Sequence, residues 1–202
     1  MYLTPIFVLN IFLMKLNIRI ILFTALLVCI ATISKLLFAA QLAWSGFSPI
    51  IAIALFSGMI VKDKSRSFLY PLIALLLSDV IIEVLYQTGN FAFKGLYKYQ
   101  WLNYGFLLIS VLIGWILKGK NYTRIFAGAL IAPTVFFLIS NFTVWMGHGG
   151  YYRPYTFEGL MQCYADGLPF FKHSISATLI YLPAVILSYN AITKRNYSLV
   201  LA

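Results

Sequence analysis

Six apolar runs constrain the fold of this chain more than any other feature of its sequence. A bilayer has a hydrocarbon core about 30 Å thick, which a helix of about 20 apolar residues crosses. Runs near that length therefore predict membrane-spanning helices. The runs are Ile18–Phe38, Pro49–Val61, Ser67–Leu85, Trp101–Leu117, Ile125–Trp145 and Lys172–Ile192.

The composition agrees with a membrane protein. Of 202 residues, 62% are hydrophobic and 10% are charged, whereas a soluble domain is about half apolar and a quarter charged. This excludes an ordinary water-soluble enzyme and a disordered chain. No repeat or flexible linker divides the sequence. We therefore predict one all-α polytopic domain over residues 14–195, a bundle of six transmembrane helices, with a short tail at 196–202.

The first 13 residues are apolar, too short to span a bilayer and free of Lys and Arg. From Met14, a Lys and an Arg precede the first long apolar run, which is typical of the start of an inner-membrane protein. Two interpretations remain open for residues 1–13. They form a segment lying at the membrane interface, or translation starts at Met14.

The positive charge is distributed by topology. The net charge is +10, and ten of the fifteen Lys and Arg residues lie in alternate gaps between the apolar runs. Cytoplasmic segments carry the excess of basic residues, so we predict that both termini of this inner-membrane protein are cytoplasmic. Segments 39–48, 86–100 and 146–171 then face outward. Because the charge is scattered, we expect no nucleic-acid partner. The ten residues are Lys15, Arg19, Lys62, Lys64, Arg66, Lys118, Lys120, Arg124, Lys194 and Arg195.

The second run is too short to cross a bilayer. A helix over its thirteen residues rises about 20 Å, less than the apolar core of a membrane. If Lys62 holds its inner end at the cytoplasmic surface, its outer end lies inside the membrane. The preceding irregular backbone would then border an outward pocket, with Phe47, Ser48, Pro49 and Trp44 in its wall. The alternative is a longer helix that begins near Leu42 and contains Pro49.

Two carboxylates lie inside the third run. Asp79 and Glu83 are four residues apart and therefore share one helical face. A carboxylate at membrane depth costs about 2.5–3.5 kcal/mol unless it meets a partner or water. We expect Asp79 to contact a ligand, with Glu83 beside it and Lys35 as the balancing charge. The alternative places Glu83 at the interface and lets Lys35 extend to the headgroups.

The longest outer segment, 146–171, combines glycines with aromatic side chains. His148 and Tyr151 lie in its Gly-rich part, and we expect this segment to form a lid over the pocket. Thr156 is a predicted N-cap of a short helix that ends at Gly167. Asn141 and Trp145, in the outer part of the fifth run, complete the predicted binding residues. The alternative for the tyrosines is the aromatic belt of a membrane interface.

The sequence contains no recognisable catalytic or metal-binding motif. Its cysteines, Cys29 and Cys163, are too few for a disulfide framework. The histidines His148 and His173 lack the spacing of a metal site. There is no G-x-S-x-G nucleophile motif and no nucleotide-binding G-x-x-x-x-G-K-[ST]. We therefore predict no enzymatic activity, no cofactor and no metal.

Several motifs together resemble an uncharacterised family of bacterial membrane proteins described as candidate transport proteins. That family in turn resembles the S components of energy-coupling-factor (ECF) transporters, six-helix proteins that bind a vitamin or metal from outside. The resemblance implies a substrate-binding subunit for uptake of a small solute, with an ECF-type transmembrane and ATPase module as partner. The motifs are Phe47-Ser48-Pro49-Ile50, Ala52 to Gly58, Pro71-Leu72, Leu77-Ser78-Asp79, Asn141-Phe142-Thr143-Val144-Trp145, Gly159-Leu160, Cys163-Tyr164 and Leu168-Pro169-Phe170-Phe171.

Three other functions remain open from the residues alone. A stand-alone facilitator would need no ATPase module. A membrane enzyme would use Asp79, Glu83 and the outer histidines. A small assembly or scaffold protein would contain no ligand pocket.

Overall fold

Over the residues that the structure describes, the chain folds into a bundle of six α-helices. The computed structural model describes residues 18–38, 41–61, 64–98, 100–119, 121–147 and 154–193, and these contain no strand. The all-α prediction is confirmed. The helices are α1 (Ile18–Phe38), α2 (Ile50–Ile60), α3 (Lys64–Gln87), α4 (Gln100–Leu117), α5 (Tyr122–Met146) and α6 (Phe157–Thr193).

Five of the six helices are long and apolar enough to cross a membrane, as expected of a multi-pass membrane protein. The exception is α2, which has 11 residues and would rise only about 16 Å. Five candidate spans and one short helix therefore replace the six spans expected from the sequence. The interfacial segment expected over residues 1–13 lies outside the described residues.

The short helix α2 lies at the centre of the bundle. Every one of its residues is buried, and it packs against α3, α4, α5 and α6. On the remaining side, the ring of Phe56 lies 5.4 Å from that of Phe23 in α1. A helix that is apolar all round is stable only where it is enclosed. The long helices supply that enclosure, and their own outer faces carry exposed apolar side chains suited to lipid.

The start of α2 settles the two interpretations of the second apolar run. Pro49 is its N-cap residue, and the amide of Ile53 donates to the Pro49 carbonyl at 2.9 Å. Before it, a short 3₁₀ turn spans Leu42–Trp44. Gly46 follows with φ +90°, a backbone conformation that favours glycine. The short helix is therefore confirmed, and a continuous helix from Leu42 is wrong.

Helix α6 differs from its prediction. The hydroxyl of Thr156 accepts a hydrogen bond from the Gly159 amide at 3.1 Å, so the N-cap is confirmed. The helix then continues for 37 residues, through both Gly167 and Pro169. A helix end at Gly167 is therefore wrong. A side chain at Gly167 would meet the Asn141 side-chain oxygen at 2.5 Å, so this glycine allows α6 to approach α5 and does not end a helix.

Candidate functional site

A cavity of about 550 Å³ lies at the N-terminal end of α2. The longer helices around α2 extend past Ile50, and none of the described helices occupies the space beyond this residue. All six helices contribute to its wall, together with parts of the 41–49 and 88–98 connections. A volume between about 300 and 1,000 Å³ is typical of small-molecule sites.

The polar wall of the cavity is organised around Asp79, whose side chain is buried in α3. Its carboxylate forms an ion pair with Lys35 of α1. It also accepts hydrogen bonds from the Gln100 side-chain amide and from the Tyr104 hydroxyl, the latter at 2.5 Å. Lys35 donates in addition to the Ser78 hydroxyl at 2.7 Å. Pairing and hydrogen bonding offset the cost of burying this carboxylate.

Gln100 connects the polar wall to the 88–98 connection. It is the first residue of α4. Its amide donates to the Gly95 carbonyl at 3.0 Å, and its oxygen accepts from the Tyr97 amide at 3.2 Å. Gly95 lies directly against α3, since a side chain there would meet the Asp79 carbonyl at 2.0 Å. Only glycine permits this close approach, which holds the connection beside the carboxylate.

Glu83 has a different environment from Asp79, although both lie on α3. It is not among the residues that line the cavity. Its carboxylate accepts from the Leu96 amide at 3.0 Å and from the Gln87 side chain at 2.7 Å. Glu83 therefore holds the 88–98 connection through the Leu96 amide, away from the cavity wall.

The 88–98 connection supplies cavity residues that the sequence prediction did not include. Phe91, Phe93, Lys94 and Tyr97 all line the cavity. The Tyr97 hydroxyl accepts from the Asn103 side chain at 2.7 Å. Partial burial raises the pKa of Tyr97 above the usual value for a phenol, so this side chain stays neutral at physiological pH. The sequence signal for these cavity residues was a glycine among aromatic residues. Segments 86–100 and 146–171 both carry that signal.

The expected lid at 146–171 is described only in part, and most of the described part lies in the long helix α6. Residues 157–171 belong to α6, from which Phe170 and Phe171 line the cavity. His148 and Tyr151 lie outside the described residues. Trp145 donates to the Pro154 carbonyl at 3.1 Å and packs edge-on against Tyr155. Trp145 therefore joins the end of α5 to the start of α6 and does not line the cavity.

Apolar side chains of α4, α5 and α6 form another part of the cavity wall. The rings of Phe137 and Phe171 stack with centroids 4.6 Å apart, and Phe136, Pro133 and Leu107 extend this surface. Aromatic and aliphatic side chains of this kind bury the apolar body of a small molecule.

Three predicted binding residues line the cavity: Ser48, Asp79 and Asn141. Asn141 donates to the Phe137 carbonyl of its own helix at 2.9 Å. The predicted residues Phe47 and Pro49 do not line it. Phe47 packs against aromatic side chains of α1 and α6, and Pro49 caps α2.

The described residues contain no group of three or more His, Cys, Asp and Glu side chains placed to hold a metal ion. His173 lies 3.0 Å from the Ser45 carbonyl through Nδ1 and stacks on Trp44. Cys163 is buried, with its sulfur 3.5 Å from the Asn141 carbonyl. Both side chains thus have structural contacts within the bundle.

Comparisons with known proteins identify a family but no function. One family model, described as a family of unknown function, matches residues 14–200. No curated protein and no solved structure matches the chain.

Proposed function

We propose, for a chain that belongs to the family of unknown function DUF6580, that it binds a small solute inside a membrane. The cavity at the N-terminal end of α2 carries this proposal. It joins the ion pair of Lys35 with the buried Asp79 to an apolar wall within one cavity. A packed scaffold would not require such a space, whereas a binding protein does.

The distribution of charge supports an outward-facing cavity. Lys64, Lys118 and Arg124 lie at the end of the bundle opposite the cavity. If the basic end is cytoplasmic, the N-terminal end of α2 opens toward the outside of a bacterial inner membrane. A solute would then enter from outside. This orientation suits uptake.

The proposed role is that of a substrate-binding subunit, similar to the S components of ECF transporters. The sequence contains no G-x-x-x-x-G-K-[ST] motif, so ATP-driven uptake would use a separate ATPase module. The rival within the same class is a stand-alone facilitator. Reconstitution into liposomes distinguishes them: a facilitator equilibrates a co-purified solute without a partner, whereas a binding subunit retains it.

The hydrogen bonds of the two carboxylates favour binding over catalysis. Asp79 accepts from three protein donors, and Glu83 accepts from the 88–98 connection and from its own helix. A general acid or base must exchange a proton with a substrate, and these contacts occupy both groups. We therefore infer no enzymatic role, and turnover of a bound solute would contradict this.

A pair of serine variants tests the proposal. Ser140 lines the cavity and donates to the Phe137 carbonyl of its own helix. Ser176 is exposed on α6 and donates to the Lys172 carbonyl of its own helix in the same manner. Ser140→Phe is expected to fill the cavity, whereas Ser176→Phe adds the same ring to the outer surface.

Native mass spectrometry of protein purified in a mild detergent gives the result. We expect a bound small molecule on the wild-type protein and on Ser176→Phe, and its loss from Ser140→Phe. Equal retention by Ser140→Phe would place the molecule outside the cavity. Wild-type protein without any bound small molecule would contradict the proposal.

A further inference from the structure

The charges that line the cavity bear on the chemistry of the solute. Among the described lining residues, Lys35 and Lys94 carry positive charge and Asp79 carries negative charge. Two ammonium groups against one carboxylate leave one positive charge. The rest of the wall is mainly apolar, so water screens this charge less than it would at an open surface.

Asp79 has little capacity left for a ligand. One of its oxygens accepts from Lys35, and the other accepts from both Gln100 and Tyr104. A carboxylate offers roughly four acceptor positions, so protein donors occupy most of them. A cationic solute would have to displace these donors and would meet the positive charge of Lys35.

Lys35 retains capacity for a ligand. An ammonium group has three N–H donors, and the described residues supply two acceptors, the Ser78 hydroxyl and Asp79. The Lys35 side chain is 20% exposed, against 7% for Asp79. Its remaining N–H is therefore a charged donor in the cavity wall that a solute can reach.

Lys94 adds a second cation at the side of the cavity formed by the 88–98 connection. Its side chain is exposed, and its ammonium group lies 5.8 Å from the centre of the Tyr86 ring. The backbone next to it is fixed, because Gly95 lies directly against α3. Lys94 can thus attract a negatively charged solute as it enters.

We propose that the solute is a small organic anion, with a carboxylate or similar acceptor group bound by Lys35 and an apolar body against Phe136, Phe137 and Phe171. This proposal rests on the proposed function, since it assigns the charge of the molecule held in the same cavity. The ion pair with Asp79 then has a positioning role, because it holds the Lys35 ammonium group at the cavity wall.

Equilibrium dialysis against the small-molecule fraction of a bacterial cell extract tests the charge of the solute. Wild-type protein and Ser140→Phe are dialysed in parallel, and mass spectrometry identifies solutes enriched only by the wild type. We expect these to be anionic at pH 7. Enrichment of a neutral or cationic solute would overturn the proposed charge and leave the binding function intact. No enrichment over Ser140→Phe would overturn both.

Lysine variants then test the proposed contacts. Lys94→Gln is expected to lower the enrichment of the anion about threefold, as for a charge at the edge of a site. Lys98→Gln, in the same connection but outside the cavity wall, is the matched control and should leave it unchanged. The double variant Lys35→Met/Asp79→Asn removes the ion pair as a unit and should lower enrichment about tenfold or more. Unchanged enrichment by the double variant would contradict the role of Lys35.

Discussion

The two ends of α2 are built in opposite ways. At its C-terminal end, Gly58 meets Gly114 of α4, and the backbones lie so close that a side chain on Gly58 would be 2.1 Å from the Val111 carbonyl. At its N-terminal end, the same helix borders a cavity of about 550 Å³. Because the helices pack closely at one end of α2, the cavity at its other end does not reflect loose packing throughout the bundle. A cavity costs stability, so its presence beside tight packing is consistent with a binding role.

Breaking the Lys35–Asp79 ion pair, at the N-terminal end of α2, should give the largest loss of stability. Lys35→Met leaves the buried Asp79 carboxylate without its cation, and breaking such a pair costs about 3–5 kcal/mol. The double variant Lys35→Met/Asp79→Asn removes both charges and should recover much of this loss. Thermal unfolding in detergent measures both. If the double variant is less stable than Lys35→Met, the unpaired Asp79 carboxylate is not the cause of the destabilisation.

At the C-terminal end of α2, adding a single methyl group should lower stability almost as much. Gly58→Ala places Cβ against the Val111 carbonyl and should cost about 3 kcal/mol through overpacking. Gly105→Ala is the matched control on α4, because nothing lies within 4 Å of its Cβ position. That variant should be neutral or slightly stabilising, since alanine favours helix. Equal unfolding temperatures for Gly58→Ala and Gly105→Ala would contradict the close packing at the C-terminal end of α2.

The 88–98 connection should show an intermediate effect that appears mainly in binding. Gly95→Ala would bring Cβ within 2.0 Å of the Asp79 carbonyl, so the connection must move outward at a cost of about 2 kcal/mol. Solute retention should fall with it, because four side chains of this connection line the cavity. Native mass spectrometry measures the retained fraction. Full retention would show that the connection does not hold the solute.

The two carboxylates of α3 should differ clearly in binding, and Glu83→Gln should give the smallest loss of stability of these variants. Glu83→Gln weakens the hydrogen bond from the Leu96 amide and should lower stability only slightly, because this hydrogen bond is exposed. Asp79→Asn removes the ion pair with Lys35 and leaves that ammonium group without its counter-ion. We expect Asp79→Asn to lower solute retention and Glu83→Gln to leave most of it. Equal loss of retention in both variants would contradict the separation of the two carboxylates.

The contrast between the ends was only partly predictable from the sequence. The bounds of α1 and the shortness of α2 follow from apolar runs, because membrane depth limits helix length directly. The pairing of Lys35 with Asp79 followed from the cost of burying charge at that depth. These features depend on local composition and on the thickness of the bilayer.

The remainder depends on contacts between distant segments. Gly167 has the local pattern of a helix end, yet it lies within α6 because α5 packs against it. Likewise, segments 86–100 and 146–171 both combine glycine with aromatic residues, and sequence alone does not say which one lines the cavity. Contact of Gly95 with the backbone of α3 places the 88–98 connection there. Gln100 and Tyr104 both donate to one carboxylate oxygen of Asp79, and neither hydrogen bond was predicted.

An experimental structure of the protein purified from its native membranes in a mild detergent would show whether the cavity holds a solute. We expect non-protein density in the cavity at the N-terminal end of α2, in contact with the Lys35 ammonium group and the Phe137–Phe171 pair. A cavity closed by inward movement of Phe136 and Phe171, with no density beside Lys35, would contradict it.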